Sequence, residues 1–172
     1  MGLVRPWTRI LGIDPGYRVT GFGVIDTNGQ ESRHVDSGVI DARKQTSTAD
    51  RLHHIFAGVA SVIAQHSPEE MAIERVFVAR NADSALKLGQ ARAAAICASF
   101  EQSIPVHEYA AREVKKAIVG KGGAGKEQVE HMVRMLLGHT GKLPVDASDA
   151  LGIALCHAHL RAANTRLAEA MS

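Results

Sequence analysis

Four carboxylates stand where the sequence predicts that strands end or a helix begins. Asp14 follows a short apolar run and precedes a Pro-Gly turn, and Glu74 follows a second such run. Asp146 and Asp149 lie three residues apart at the start of a helical pattern, so they share one helix face. If the two strands are parallel neighbours, both strand-end carboxylates lie at the same edge of the sheet.

Carboxylates that meet in one place repel one another and must be neutralised. Hard divalent cations with oxygen ligands do this most simply. Two such ions about 3.5–4 Å apart can activate a water molecule and stabilise the leaving oxygen in phosphodiester hydrolysis. The sequence therefore predicts a hydrolytic metal site formed by Asp14, Glu74, Asp146 and Asp149.

Each carboxylate also has a structural explanation when it is taken alone. Asp14 can cap the turn that follows it, and Glu74 can pair with Arg75 or Arg80. Asp146 is well placed as a helix N-cap, and Asp149 in the first turn complements the helix dipole. Only the convergence of all four favours the metal site.

The apolar pattern predicts the elements that bring these side chains together. Strands are expected at 8–14, 19–26, 31–41, 71–73 and 104–109. Helices are expected at 48–66, 81–100, 110–119, 126–137 and 146–167. An Asn-Gly pair between the second and third strands favours a hairpin. The order predicts an α/β fold: a mixed five-stranded sheet, made of a three-strand antiparallel meander plus parallel strands, with helices on both faces.

Length and composition bound the class of protein. The 172 residues suit one domain over 1–172, with a loose lead-in at 1–7 and a loose tail at 167–172. Hydrophobic residues make up 45% and charged residues 22%, which excludes a disordered chain. A net charge of +2 permits a nucleic-acid partner without requiring one. Two cysteines in apolar surroundings, and the lack of a signal or membrane-spanning pattern, predict a cytoplasmic protein with no membrane partner.

Five motifs carry a resemblance to a known family. They are GIDPGYRVTGFGVI (12–25), AIERVFVARNADSALKLGQARAA (72–94), EYAAREVKKAIVG (108–120), HMVRMLLG (131–138) and DASDALGIA (146–154). The chain resembles the RuvC family of bacterial crossover junction endodeoxyribonucleases, in the ribonuclease H-like superfamily. The resemblance implies that the same four carboxylates are catalytic and bind metal.

The resemblance further implies the reaction and its partners. It implies paired, symmetric, metal-dependent hydrolysis of four-way (Holliday) DNA junctions in recombination and repair, leaving 5′-phosphate ends. It implies two Mg²⁺ ions per site, with Mn²⁺ as a substitute, a homodimer, and partnership with the RuvA and RuvB branch-migration proteins.

Other side chains take roles by the same resemblance. An aromatic residue after the catalytic Glu stacks on bases at the opened junction, which assigns Phe77, and two lysines assist catalysis, which assigns Lys115 and Lys126. Each has an ordinary alternative, a core position for Phe77 and a solvated helix face for the lysines. DNA contacts are also expected from Arg80, Lys116 and Lys121, and a wider basic track from Arg75, Lys87, Arg92 and Arg134.

Rival interpretations are weaker. The loop from Gly120 to Lys126 matches a P-loop, but Glu127 stands where Ser or Thr should coordinate magnesium. A Gly-rich hairpin after Asp14 also occurs in actin-like ATPases, which need two such domains. A non-catalytic junction-binding module is disfavoured because all four carboxylates are retained. His157 and His159 diverge within a helix, and no second ligand pair completes a zinc site.

A stripe of small residues runs along the expected helix at 81–100. Such a face permits close packing against the same helix of a second protomer. Packing against the protein's own sheet is the alternative. The stripe consists of Ala82, Ala85, Gly89 and Ala93.

Overall fold

The computed structural model describes residues 6–76 and 81–171. Within them, five strands form one sheet, in the spatial order β3-β2-β1-β4-β5. The meander β1–β2–β3 is antiparallel, whereas β4 pairs in parallel with both β1 and β5. The strands are β1 (Thr8–Asp14), β2 (Val19–Thr27), β3 (Ser32–Asp41), β4 (Glu70–Glu74) and β5 (Val106–Tyr109).

Helices cover both faces of this sheet. They are α1 (Thr48–His66), α2 (Ala82–Cys97), α3 (Ala111–Val119), α4 (Lys126–Leu136) and α5 (Val145–Ala170). Side chains of α3, α4 and α5 share one buried cluster with Ile10 and Ala72 of the sheet. Side chains of α1 and α2 share the other cluster with Leu11 and Ile73. Neighbouring strand residues point to opposite faces, so each strand contributes to both cores.

The predicted fold class is confirmed, and the differences lie at element ends. The long helix expected at 81–100 ends at Cys97, and a separate 3₁₀ turn follows at Phe100–Gln102. The last helix continues to Ala170, so residues 167–170, assigned to a tail, are helical. No helix within 6–76 and 81–171 is long and apolar enough to cross a membrane.

Helix α5 lies unusually close to β1 and β2 because glycines occupy the facing strand positions. A Cβ atom on Gly12 would lie 2.1 Å from the Ala150 carbonyl oxygen. A Cβ atom on Gly21 would lie 1.9 Å from the carbonyl oxygen of Asp146. Both distances are far inside van der Waals contact, and both partners are backbone atoms that cannot rotate away. The glycines therefore set the depth at which the first turn of α5 lies against the sheet.

We expect Gly21→Ala to destabilise the fold and displace the start of α5. Overpacking of this kind costs about 2–3 kcal/mol of unfolding free energy. Urea unfolding measures that loss. Gly123→Ala is the matched control, because no heavy atom lies within 4 Å of its added Cβ. If the two variants have equal unfolding free energies, α5 can move away from the added methyl group without destabilising the fold.

Candidate active site

The four predicted carboxylates come together at one edge of the sheet. Ile13 pairs with Ile73 in the parallel β1–β4 ladder, so Asp14 and Glu74 follow at equivalent positions. Both side chains line a cavity of about 230 Å³, together with Asp149 from the second turn of α5. Asp146 is close enough to raise the pKa of Asp14 through its charge. The expected convergence of two strand ends and one helix face is therefore present.

Two of the structural alternatives for single carboxylates, those for Asp146 and Asp14, lack support in the structure. Helix α5 begins at Val145 with Pro144 as its N-cap, so the N-cap interpretation of Asp146 is wrong. Thr20 holds the turn after Asp14, because its hydroxyl donates to the Gly16 carbonyl oxygen at 2.9 Å.

The charges of the cluster are poorly compensated. Burial, followed by the charges of Glu74, Asp149 and Asp146, raises the pKa of Asp14 to about 8. Burial and the charge of Asp149 also raise the pKa of Glu74. For Asp14 and Glu74, burial and the neighbouring carboxylates therefore outweigh the positive charge that the nearby lysines supply. An all-oxygen donor set short of positive charge fits a hard divalent cation.

Lys115 and Lys126 line the cavity, whereas the expected DNA-binding residues Lys116 and Lys121 do not. Lys126 Nζ lies 2.9 Å from Asp149 Oδ2, and this hydrogen bond raises the pKa of Lys126. Lys115 lines the same cavity, whereas its neighbour Lys116 is exposed and is not among the lining residues. Lys121 is likewise exposed on the loop before α4. Phe77 and Arg80 lie outside the described residues.

Arg92 has a position that sequence reasoning missed. From α2 its Nε donates to the backbone carbonyl of Glu74 at 3.1 Å, and its Nη2 lies 2.6 Å from Glu108 Oε1. The side chain therefore connects α2 to the end of β4 that carries the candidate catalytic carboxylate. Its charge is paired, which argues against a place in the basic track. A backbone carbonyl leaves no mark in a sequence pattern, so no signal pointed to this contact.

Arg92→Met is expected to slow catalysis about tenfold, because small displacements of a reacting group are costly. Junction affinity should stay close to wild type, since Arg92 acts on the position of Glu74. Single-turnover rates and junction binding, measured separately, make the distinction. Lys44→Met, which removes an exposed positive charge from the loop before α1, serves as control. If junction affinity and cleavage rate fall together, Arg92 contacts DNA and does not act through the position of Glu74.

Comparison with known proteins decides the family. The family model for the crossover junction endodeoxyribonuclease RuvC matches residues 10–157. The chain belongs to the RuvC family. The matched span begins in β1 and ends within α5, so it contains all four carboxylates and both cavity lysines.

Curated RuvC relatives match over nearly their whole length. The protein from Methylococcus capsulatus is 56% identical over 163 residues, covering 93% of this chain and 96% of the relative. The protein from Marinobacter nauticus is 54% identical over 159 residues, covering 92% and 90%. Both carry the name crossover junction endodeoxyribonuclease RuvC.

Solved structures agree with the sequence relatives. Thermus thermophilus RuvC in complex with a Holliday junction substrate has a TM-score of 0.86 at 36% identity, covering 92% of this chain and 97% of that one. The yeast mitochondrial Holliday junction resolvase Ydc2 has a TM-score of 0.64 at 13% identity, which shows a shared fold alone.

Proposed function

We propose that this chain is a structure-selective endonuclease that resolves four-way DNA junctions by paired, symmetric hydrolysis, leaving 5′-phosphate ends, in recombination and repair. The observation that carries the proposal is the convergence of Asp14, Glu74, Asp146 and Asp149 at one edge of the sheet in a RuvC-family chain. The Thermus thermophilus relative in complex with a Holliday junction substrate supports the choice of substrate.

The four carboxylates would hold the metal. Membership of this nuclease family implies use of a divalent metal, and the oxygen donors and uncompensated charge favour Mg²⁺, two ions per site, with Mn²⁺ as a substitute. When bound, the metal shields the phosphate's charge and lowers the pKa of the attacking water. The carboxylates orient that site because β1, β4 and α5 fix them relative to one another.

The lysines would handle the phosphate. Lys126 is well exposed beyond its contact with Asp149, with 64% of its side chain accessible, so its ammonium group can also meet a DNA phosphate at the cavity mouth. Lys115 approaches from α3 on the same cavity. The resemblance assigns Phe77 to stacking on bases at the opened junction. Arg80, Lys116 and Lys121 are expected to add DNA contacts through their positive charge.

A homodimer would match the two-fold symmetry of the junction. The small-residue stripe of α2 faces outward, because Ala82, Gly89 and Ala93 are exposed while Ala91 and Ala95 are buried against the core. The stripe is therefore available to a second protomer. Leu86 beside it is 67% exposed, which adds apolar surface.

Gly89→Arg should convert the dimer to a monomer without unfolding the chain. A Cβ at Gly89 meets no atom within 4 Å, so the larger side chain fits the protomer but blocks close helix packing. Analytical ultracentrifugation gives the state of assembly, and junction assays should show single nicks in place of paired ones. Glu101→Arg, exposed on the 3₁₀ turn, is the control. A dimeric Gly89→Arg protein would exclude this face.

The test of the proposed function compares cleavage of two DNA substrates in Mg²⁺. One is a synthetic four-way junction whose branch point cannot migrate, and the other is a linear duplex with the sequence of one arm. We expect paired nicks in strands of like polarity in the junction, and none in the duplex. Binding of junctions without any cleavage would instead favour a non-catalytic junction-binding module.

Interaction with RuvA and RuvB, and action in the cytoplasm, complete the proposal. The partnership is implied by the resemblance, whereas the cytoplasmic location is inferred from the sequence, from its two cysteines in apolar surroundings and from the lack of a signal pattern. Co-purification of the three proteins on junction DNA tests the partnership.

A further inference from the structure

A second group of metal-ligating side chains lies at the other end of β4. Glu70 begins β4, His107 lies on β5, and His157 lies two turns beyond Asp149 on α5. One potential ligand atom from each of the three side chains lies within 4.8 Å of the others. Glu70 precedes Glu74 by four strand residues, which separates this cluster from the active site by about 13 Å.

The surrounding contacts orient the cluster toward a common point. The Tyr109 hydroxyl lies 2.6 Å from His157 Nδ1, so it fixes the ring with Nε2 directed at Glu70 Oε2. Arg161 Nε donates to the other carboxylate oxygen, Oε1, at 3.0 Å. Oε2 therefore faces the two imidazole rings. A partner on the second ring nitrogen is the usual support of a metal-binding histidine.

His107 completes the group from the solvent side. Its Nε2 lies 3.9 Å from Glu70 Oε2, too far for a hydrogen bond, and its ring stacks on His157 with centroids 4.2 Å apart. The His107 side chain is 42% exposed, whereas that of His157 is 4% exposed. Tetrahedral zinc ligands lie about 3.3 Å apart. The three candidate ligand atoms lie within 4.8 Å of one another, so side-chain shifts of up to roughly 1.5 Å bring them into range.

We propose that Glu70, His107 and His157 form a site for a borderline transition-metal ion of the Zn²⁺ class. Two imidazole nitrogens and one carboxylate oxygen suit Zn²⁺, whereas Mg²⁺ prefers oxygen ligands alone. The exposed edge of His107 leaves a fourth position open to water. The ion joins α5 to β4 and β5, and so holds the far end of the helix that carries Asp146 and Asp149.

The alternative to a metal site is a metal-free polar network that includes Arg161. Together with Glu70 and His157, Arg161 forms a polar network that is complete without a metal, and its positive charge opposes a cation. Arg161 binds only Oε1, however, and 40% of its side chain is exposed, so solvent screens its charge. The two interpretations differ in the role of His107, which the polar network does not need.

The test uses Co²⁺ as a spectroscopic substitute for Zn²⁺, with the full chain and excess Mg²⁺ to occupy the carboxylate site. Wild type should show the visible absorption of tetrahedral Co²⁺, and Zn²⁺ should abolish it by displacement. His107→Phe keeps a stacked ring but loses the ligand, and should weaken Zn²⁺ binding at least about tenfold. His53→Gln, an exposed histidine on α1, is the control.

Tyr109→Phe separates a metal site from a polar network. Loss of the hydroxyl that orients His157 should weaken Zn²⁺ binding about tenfold while the junction cleavage rate in Mg²⁺ remains near wild type. Equal Co²⁺ spectra in wild type and His107→Phe would overturn the proposal, as would complete loss of the signal in excess Mg²⁺. Because the readout is metal binding, its failure leaves the proposed nuclease function intact.

Discussion

Asp14→Asn should abolish junction cleavage while leaving junction binding in place. Asparagine keeps the shape of the side chain but removes the charge on which metal binding depends, so the rate should fall by about a thousandfold or more. Burial and three neighbouring carboxylates make Asp14 the most strongly perturbed acid of the cluster, with a pKa of about 8. Gel-based cleavage and band-shift assays with the same junction measure the two properties separately.

The control for this variant is Glu31→Gln, which also replaces a carboxylate by its amide. Glu31 is exposed at the β2–β3 turn, where its partner is Arg33 at 3.0 Å. It should cleave like wild type. If Asp14→Asn cuts at the wild-type rate, the carboxylate cluster is not the catalytic site.

The same substitution should stabilise the metal-free protein. The folded-state pKa of Asp14 is raised, so stability is highest below the unfolded-state value near 3.8 and falls as pH rises toward 8. Asparagine removes that loss. At pH 7.5 in EDTA, Asp14→Asn should gain about 2 kcal/mol of unfolding free energy, or roughly 5 °C in Tm.

Metal should reverse the order of stability. Added Mg²⁺ binds the ionised cluster and stabilises the wild-type fold by mass action, whereas the variant has lost a ligand. Thermal unfolding at pH 5 and pH 7.5, with EDTA or with Mg²⁺, covers the four conditions. In EDTA, the stability advantage of the variant should be clearly smaller at pH 5 than at pH 7.5. A variant that is less stable than wild type in EDTA at pH 7.5 would contradict the electrostatic account.

Local patterns predicted the positions of the candidate site well. Asp14 and Glu74 were predicted to meet because each ends a buried run, and parallel strands bring such ends to one edge. The i, i+3 spacing of Asp146 and Asp149 needed only a helix to become a pair. These inferences depend on the periods of strands and helices, which short stretches of sequence contain.

Contacts between distant residues could not be predicted in the same way. Arg92 resembles any basic surface residue until the carbonyl of Glu74 is placed beside it. His157 had no visible ligand partner because Glu70 and His107 come from two strands far away in sequence. The depth at which α5 lies on Gly12 and Gly21 also depends on tertiary packing.

Helix α2 is involved in two separate contacts, one on each of two faces. Its outer face carries the stripe we propose for a second protomer, and Arg92 reaches from the same helix to the carbonyl of Glu74. A shift of this helix when two protomers associate would pass directly to the end of β4. An isolated protomer would then make its single nicks slowly even on a junction that it binds, and assembly of the dimer would activate both sites together. Slow cutting by isolated protomers would limit the single-strand breaks that leave a junction half resolved.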